Sequence, residues 1–189
     1  KIKISFKKRA EGLSMVLYRC ISCGKEFSTG DGDSGIFCTA CGKKWEMSEY
    51  GRLIDTKSGE EIHIPDWYNW ERERVREETK QESYRCEFNV TVEALPNEKG
   101  FVPMGEGRLE HDREGFALEI KGERLFFPTK ALPSVQTEYN YKGKGKCIVL
   151  STKDCCYYIY CLSGDFNPTK LQFAAEELYL TEKEGKNNA

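Results

Sequence analysis

Cys20-Ile21-Ser22-Cys23-Gly24-Lys25 and Cys38-Thr39-Ala40-Cys41-Gly42-Lys43 decide how the first part of the chain folds. Each is a Cys-x2-Cys pair followed by glycine, and fourteen residues separate the pairs. Two thiolates two residues apart converge on one metal from a tight turn, and glycine supplies the positive φ such a turn uses. Two such turns face to face complete a tetrahedral set of four sulfurs. The segment between them contains Gly30, Asp31, Gly32, Asp33, Ser34 and Gly35 and reads as a hairpin tip. Beyond the second pair, Lys43–Met47 and Arg52–Ile54 supply further short strands. The pattern predicts a zinc ribbon with Cys20, Cys23, Cys38 and Cys41 as ligands. All four positions are protein thiolates, so no coordination place is left for water or substrate, and the Zn2+ is structural.

Two other uses of these cysteines stay open at this point. Two disulfides in a secreted protein would employ the same four residues. A tetrahedral sulfur site also suits iron, as in rubredoxin, although the short spacer and the lack of electron-transfer features favour zinc. Arg19, Lys25, Lys43 and Lys44 are expected to offset part of the negative charge of a zinc tetrathiolate. The total of nine cysteines is odd, which rules out complete intramolecular pairing. Cys86, Cys147, Cys155, Cys156 and Cys161 lie in apolar, strand-like segments without metal spacing and read as small core residues. Together the nine suggest a reducing, cytosolic compartment.

Composition sets the outer limits. The 189 residues are enough for one large or two small domains, and 39% hydrophobic residues exceed what a disordered chain carries. A mean hydropathy of -0.65, with no apolar run near ~18 residues, excludes a spanning helix within the sequence. The first ten residues are basic and lead into no apolar stretch, so no signal peptide is expected. Lys1 in place of Met suggests a piece of a longer chain. Net charge is +3 over residues 1–60, -3 over 61–83 and -2 over 84–189, so no domain carries the basic field of a nucleic-acid protein. Lys1, Lys3, Lys7, Lys8 and Arg9 form a basic arm over residues 1–12, readable as a solvated terminus or as a segment near anionic lipid headgroups.

The ribbon is placed at 13–59 and a linking helix at 60–83. Pro65 suits a first helical turn, Asp66 its positive end, and Trp67, Trp70 and Val75 one apolar side. The Glu/Arg run that follows reads as a solvated face. From Tyr84 the period changes to two. Strands are expected at Cys86–Leu95, Gly107–Glu110, Phe116–Lys121, Leu125–Phe127, Val135–Tyr139, Cys147–Ser151 and Tyr157–Leu162. Asn167 and Pro168 then open a helix carrying Leu171, Ala174, Ala175 and Leu178, with a strand at Leu171–Ala175 as the alternative. The expected fold is mainly β with two helices (α+β): a rubredoxin-like ribbon, then a small barrel or sandwich over 84–181. A strand meander closed by one helix resembles the pleckstrin-homology or GRAM-like architecture. Residues 182–189 are polar and expected to fray.

No residue is expected to be catalytic or to bind an organic cofactor. His63 and His111 lack a nucleophile motif, and no phosphate-cradling glycine loop or HExxH is present. Tyr141-Lys142-Gly143-Lys144-Gly145-Lys146 reads as a flexible, solvated turn that could meet phosphate, and the loop after the first strand of the second domain offers chiefly Lys99, which disfavours inositol-lipid recognition.

Several stretches together resemble a known family. They are Ala10-Glu11-Gly12-Leu13 leading into Val16-Leu17-Tyr18-Arg19-Cys20, then Cys41-Gly42-Lys43-Lys44-Trp45 and Ile64-Pro65-Asp66-Trp67-Tyr68. Ala94-Leu95-Pro96-Asn97, Gly100-Phe101-Val102-Pro103, Thr137-Glu138-Tyr139-Asn140-Tyr141, Pro168-Thr169-Lys170-Leu171 and Glu176-Glu177-Leu178-Tyr179 continue the series. The chain is similar to the C-terminal extension of clostridial 1-acylglycerol-phosphate (lysophospholipid) acyltransferases. That family's active site carries His-x4-Asp, but the fifth residue after His63 is Tyr68 and after His111 is Phe116. The resemblance therefore implies a non-catalytic bacterial accessory region, with the acyltransferase domain of phospholipid biosynthesis as its partner in cis. It further implies a cytoplasmic location, peripheral at the inner face of the plasma membrane. A stand-alone ribbon module for nucleic acid or a protein partner is the competing expectation.

Overall fold

A computed structural model describes residues 2–97, 99–161 and 163–187. The chain forms two compact units, Lys1–Arg74 and Val75–Ala189. In the first, a short helix α1 (Leu13–Val16) precedes five strands: β1 (Thr29–Asp31), β2 (Gly35–Cys38), β3 (Lys44–Met47), β4 (Arg52–Asp55) and β5 (Glu61–His63). They form one antiparallel sheet in sequence order. Alternation sorts the faces as a pleated strand requires. Ile36, Cys38, Trp45, Met47 and Leu53 turn inward, whereas Phe37 and Glu46 face out. The core is completed by Ala10, Leu17 and Trp67, with Trp67 edge-on to Trp45 at 4.9 Å. The Asp31 carboxylate accepts the backbone N–H groups of Gly12 (2.8 Å) and Ser14 (2.9 Å), which ties α1 to the first hairpin.

Trp67 belongs to helix α2 (Ile64–Thr79), and the division between the units falls inside that helix. The second unit continues with β6 (Arg85–Pro96), β7 (Val102–Asp112), β8 (Gly115–Ile120), β9 (Glu123–Pro128), β10 (Gln136–Glu138), β11 (Cys147–Ser151), β12 (Cys155–Cys161) and α3 (Pro168–Asn187). Its seven strands form a single antiparallel sheet ordered β10-β11-β12-β6-β7-β8-β9, curled into a half-barrel. Phe88, Val90, Val92, Leu109, Phe116, Leu118, Ile148, Leu150 and Ile159 fill the core, with Leu171 and Ala175 of α3. Asn167 accepts the Lys170 N–H at 3.1 Å and Pro168 opens the helix, a cap the sequence announces. On β6–β9, Glu110 is surrounded by Arg85 (3.2 Å), Arg108 (3.2 Å) and Arg124 (3.7 Å), which also pair with Glu87 and Glu119.

The expected α+β class holds, with three corrections. Among the described residues there are three helices, because Asp31 stabilises the short α1 that no periodicity announces. The polar end is helical through Asn187, not frayed from residue 182, while residues 188–189 lie outside the described part. The expected small barrel or sandwich is a single sheet curled into a half-barrel, with β9 and β10 as its edges. Residues Leu171–Ala175 are helical, as expected, and the strand alternative is not adopted. The expected end of the last strand at Leu162 falls outside the described residues. Among the described residues no helix is long and apolar enough to cross a membrane.

Candidate metal centre

The two cysteine turns are built alike. The Cys20 N–H donates to the Lys25 carbonyl (3.0 Å), and the Gly24 N–H to the Cys20 carbonyl (2.8 Å). In the second turn the Cys38 N–H donates to Lys43 (2.9 Å), and the Gly42 N–H to Cys38 (2.9 Å). Gly24 and Gly42 both sit at φ 73°, the left-handed region that glycine enters without steric cost. Each turn thus aims two sulfurs the same way, and the sheet brings the turns together.

All four Sγ atoms lie within 4.8 Å of one another, with Cys20–Cys41 and Cys23–Cys38 both at 3.8 Å. A tetrahedral zinc with Zn–S bonds of about 2.3 Å requires sulfur–sulfur edges of about 3.8 Å. The residues present fit such an ion. Backbone N–H groups already point at the sulfurs: Ser22 and Cys23 at Cys20, Ala40 and Cys41 at Cys38, and Lys43 at Cys41. Those donors stabilise thiolate. Burial pushes the Cys20 thiol up to about 12. Burial also acts on Cys38, but the Ser28 hydroxyl (3.4 Å) and two backbone N–H groups outweigh it and hold the thiol at about 6. Cys20 and Cys38 are buried and Cys23 and Cys41 exposed, so the set has an inner and an outer half.

The basic neighbours are arranged differently from the sequence expectation. Lys43 pairs with Asp55 at 3.0 Å, and Arg19 with Glu26 at 3.7 Å, so much of their charge meets carboxylates instead of the thiolates. Asp55 also accepts the N–H groups of Ser58 and Lys57, and these with Lys43 hold its carboxyl at about 2.

Sequence reasoning missed one residue beside the site. Glu71, read as part of a solvated Glu/Arg face, is fully buried, and burial pushes its carboxyl up to about 9. Its Oε1 accepts the Arg19 N–H at 2.6 Å. The signal was there: Glu71 lies four residues after Trp67, on the same helix face.

The other expected features form no second centre. Among the described residues the four cysteines are the one group of three or more side chains able to hold a metal. Cys147 and Cys161 are buried and Cys86, Cys155 and Cys156 half-buried, in line with packing roles. His111 is buried with its Nδ1 3.1 Å from the Tyr84 hydroxyl and its ring stacked 3.8 Å from Phe116. Burial lowers its pKa to about 3, so it stays neutral. Of the turn lysines, Lys142 lies over the Phe101 ring, Lys144 pairs with Glu93, and burial lowers Lys146. An open groove of about 620 Å³ beside Tyr84, Phe126 and Leu178 mixes Arg113 and Lys130 with Glu82, Asp112 and Glu182, without a convergent set.

The chain matches no family model, no curated protein and no solved structure. What fold and site define together is a four-cysteine ribbon able to hold a metal ion, joined by a helix to a half-barrel with a C-terminal helix.

Proposed function

We propose that this chain is a non-catalytic, zinc-binding accessory region. Its place, on the resemblance of its sequence stretches, is the C-terminal side of a membrane-associated 1-acylglycerol-3-phosphate acyltransferase. The observation that carries the zinc reading is the 3.8 Å spacing of paired sulfurs, which matches the edge of a tetrahedral zinc tetrathiolate. The metal is structural, since four thiolates fill its coordination. A reducing cytoplasm keeps them free to bind. Two meanders, β6–β9 and β10–β12, joined through the β12–β6 pair and followed by α3, support the pleckstrin-homology or GRAM-like reading of the second unit.

The arm favours a place at the membrane surface. Ile2 and Phe6 are 93% and 63% exposed, and Lys7 stands beside them, although Lys3 and Lys8 pair with Glu49 and Glu11. The test is deletion of this region from the parent enzyme. Acyl transfer or membrane retention should fall while the His-x4-Asp domain stays folded. Unchanged activity and unchanged retention would overturn the accessory role.

A further inference from the structure

Two side chains of helix α2 hold the backbone of one residue, Arg19, through the two peptide units that flank its Cα, just before the first cysteine turn. The Trp67 Nε1–H donates to the Arg19 carbonyl at 2.8 Å, and Glu71 Oε1 accepts the Arg19 N–H at 2.6 Å. Arg19 immediately precedes Cys20, the more deeply buried ligand of its pair. Trp67 and Glu71 are both fully buried, four residues apart on one helix face. The Arg19 side chain continues the clamp by donating from Nε to the Gly24 carbonyl at 3.1 Å, on the far side of the same turn.

Burying a carboxyl group is costly, and a core built only for packing would place an apolar side chain at position 71. Glu71 uses its cost to accept one backbone N–H beside a ligand, and among the described residues its second oxygen, Oε2, has no hydrogen-bond partner. We infer that Trp67 and Glu71 are positioning residues for the metal site: by fixing the backbone on both sides of the Arg19 Cα they set the approach of Cys20, so metal binding and the docking of α2 reinforce each other. The coupling is reciprocal, because a ligand that favours one arrangement of the turn is itself bound better by that arrangement. This rests on the metal-binding reading above.

The test titrates the whole chain with Co2+ under reducing conditions and follows thiolate-to-metal charge-transfer bands, with Zn2+ as competitor. Glu71→Met keeps the volume but removes the acceptor, and Glu71→Gln keeps a neutral acceptor. Outer partners of metal ligands typically contribute about 10- to 100-fold in affinity. Glu71→Met should weaken binding by that range, and Glu71→Gln should restore most of it. Should Glu71→Met fail to fold, Trp67→Phe, which keeps a ring and loses the N–H, gives the same reading with a smaller loss of about tenfold. In the reverse direction, metal removal should speed amide exchange of residues 67–74 and leave Leu118 and Ile159 unchanged. Wild-type affinity in folded Glu71→Met or Trp67→Phe would overturn the coupling, as would a Glu71→Gln variant no better than Glu71→Met. Absence of any Co2+ spectrum in the unaltered protein would instead overturn the metal reading beneath it.

Discussion

Acidification should destabilise the half-barrel through His111. The imidazole is fully buried against Phe116, with its Nδ1 facing the Tyr84 hydroxyl and, among the described residues, no charged group that stabilises a cation. Burial holds its folded-state pKa at about 3, against about 6.5 for a free histidine. A histidine with a depressed folded pKa is neutral in the fold and binds a proton on unfolding. Its penalty therefore begins below the unfolded pKa and grows as pH falls toward the folded one. At pH ~4.5 the interval is about two units, or about 3 kcal/mol. That is a large part of the ~5–15 kcal/mol that holds a domain together. The assay is urea unfolding at pH ~7.5 and ~4.5, read from the amide signals of Leu109 and Leu118, so that events in the ribbon do not enter. His111→Asn keeps an acceptor for Tyr84 but does not titrate. Its own cost is about 1–3 kcal/mol at neutral pH, the range for disturbing a buried polar group. Glu87 and Glu93, held low by Arg108 and Lys144, titrate in both proteins and cancel in the difference. The wild-type advantage should shrink by about 2–3 kcal/mol on acidification. Parallel pH profiles for the two proteins would refute the reasoning.

Three other perturbations have defined outcomes. Gly115 sits at φ 146° with a would-be Cβ 2.2 Å from the Phe127 carbonyl oxygen, so Gly115→Ala should cost more than about 3 kcal/mol in urea unfolding of the half-barrel. Asp31→Ala removes the acceptor for the Gly12 and Ser14 N–H groups and should cost the ribbon about 1–2 kcal/mol. Tryptophan fluorescence reads that loss selectively, because Trp45, Trp67 and Trp70 all lie in the first unit. Replacing Cys86, Cys147, Cys155, Cys156 and Cys161 together by alanine should leave one metal per chain, as measured by elemental analysis. A lowered metal content would assign one of them to the centre.

The legibility of this fold follows the range of the forces involved. Cysteine spacing and the glycine after each pair are local geometry, and the structure brings those four sulfurs together as the spacing predicts. Strand alternation is also local, so Cys147–Ser151 appears where it was expected, and the Asn167-Pro168 cap opens α3. What could not be read depended on distant partners. Helix α1 exists because the carboxylate of Asp31, far along the chain, accepts its first N–H groups. The early part of β7 was hidden by Pro103 and Gly105, residues that weaken a strand signal, yet they pair with β6 across a bulge at Val92 and Glu93. Glu71 looked solvated inside an alternating Glu/Arg run, and only the packed turn at Arg19 makes its burial intelligible.

The most direct measurement on the central claim is X-ray absorption at the zinc edge of protein purified under reducing conditions. One zinc per chain with four sulfur neighbours at about 2.3 Å is the predicted result. A first shell containing nitrogen or oxygen, or protein that is folded in its first unit with four titratable thiols and no metal, would contradict it.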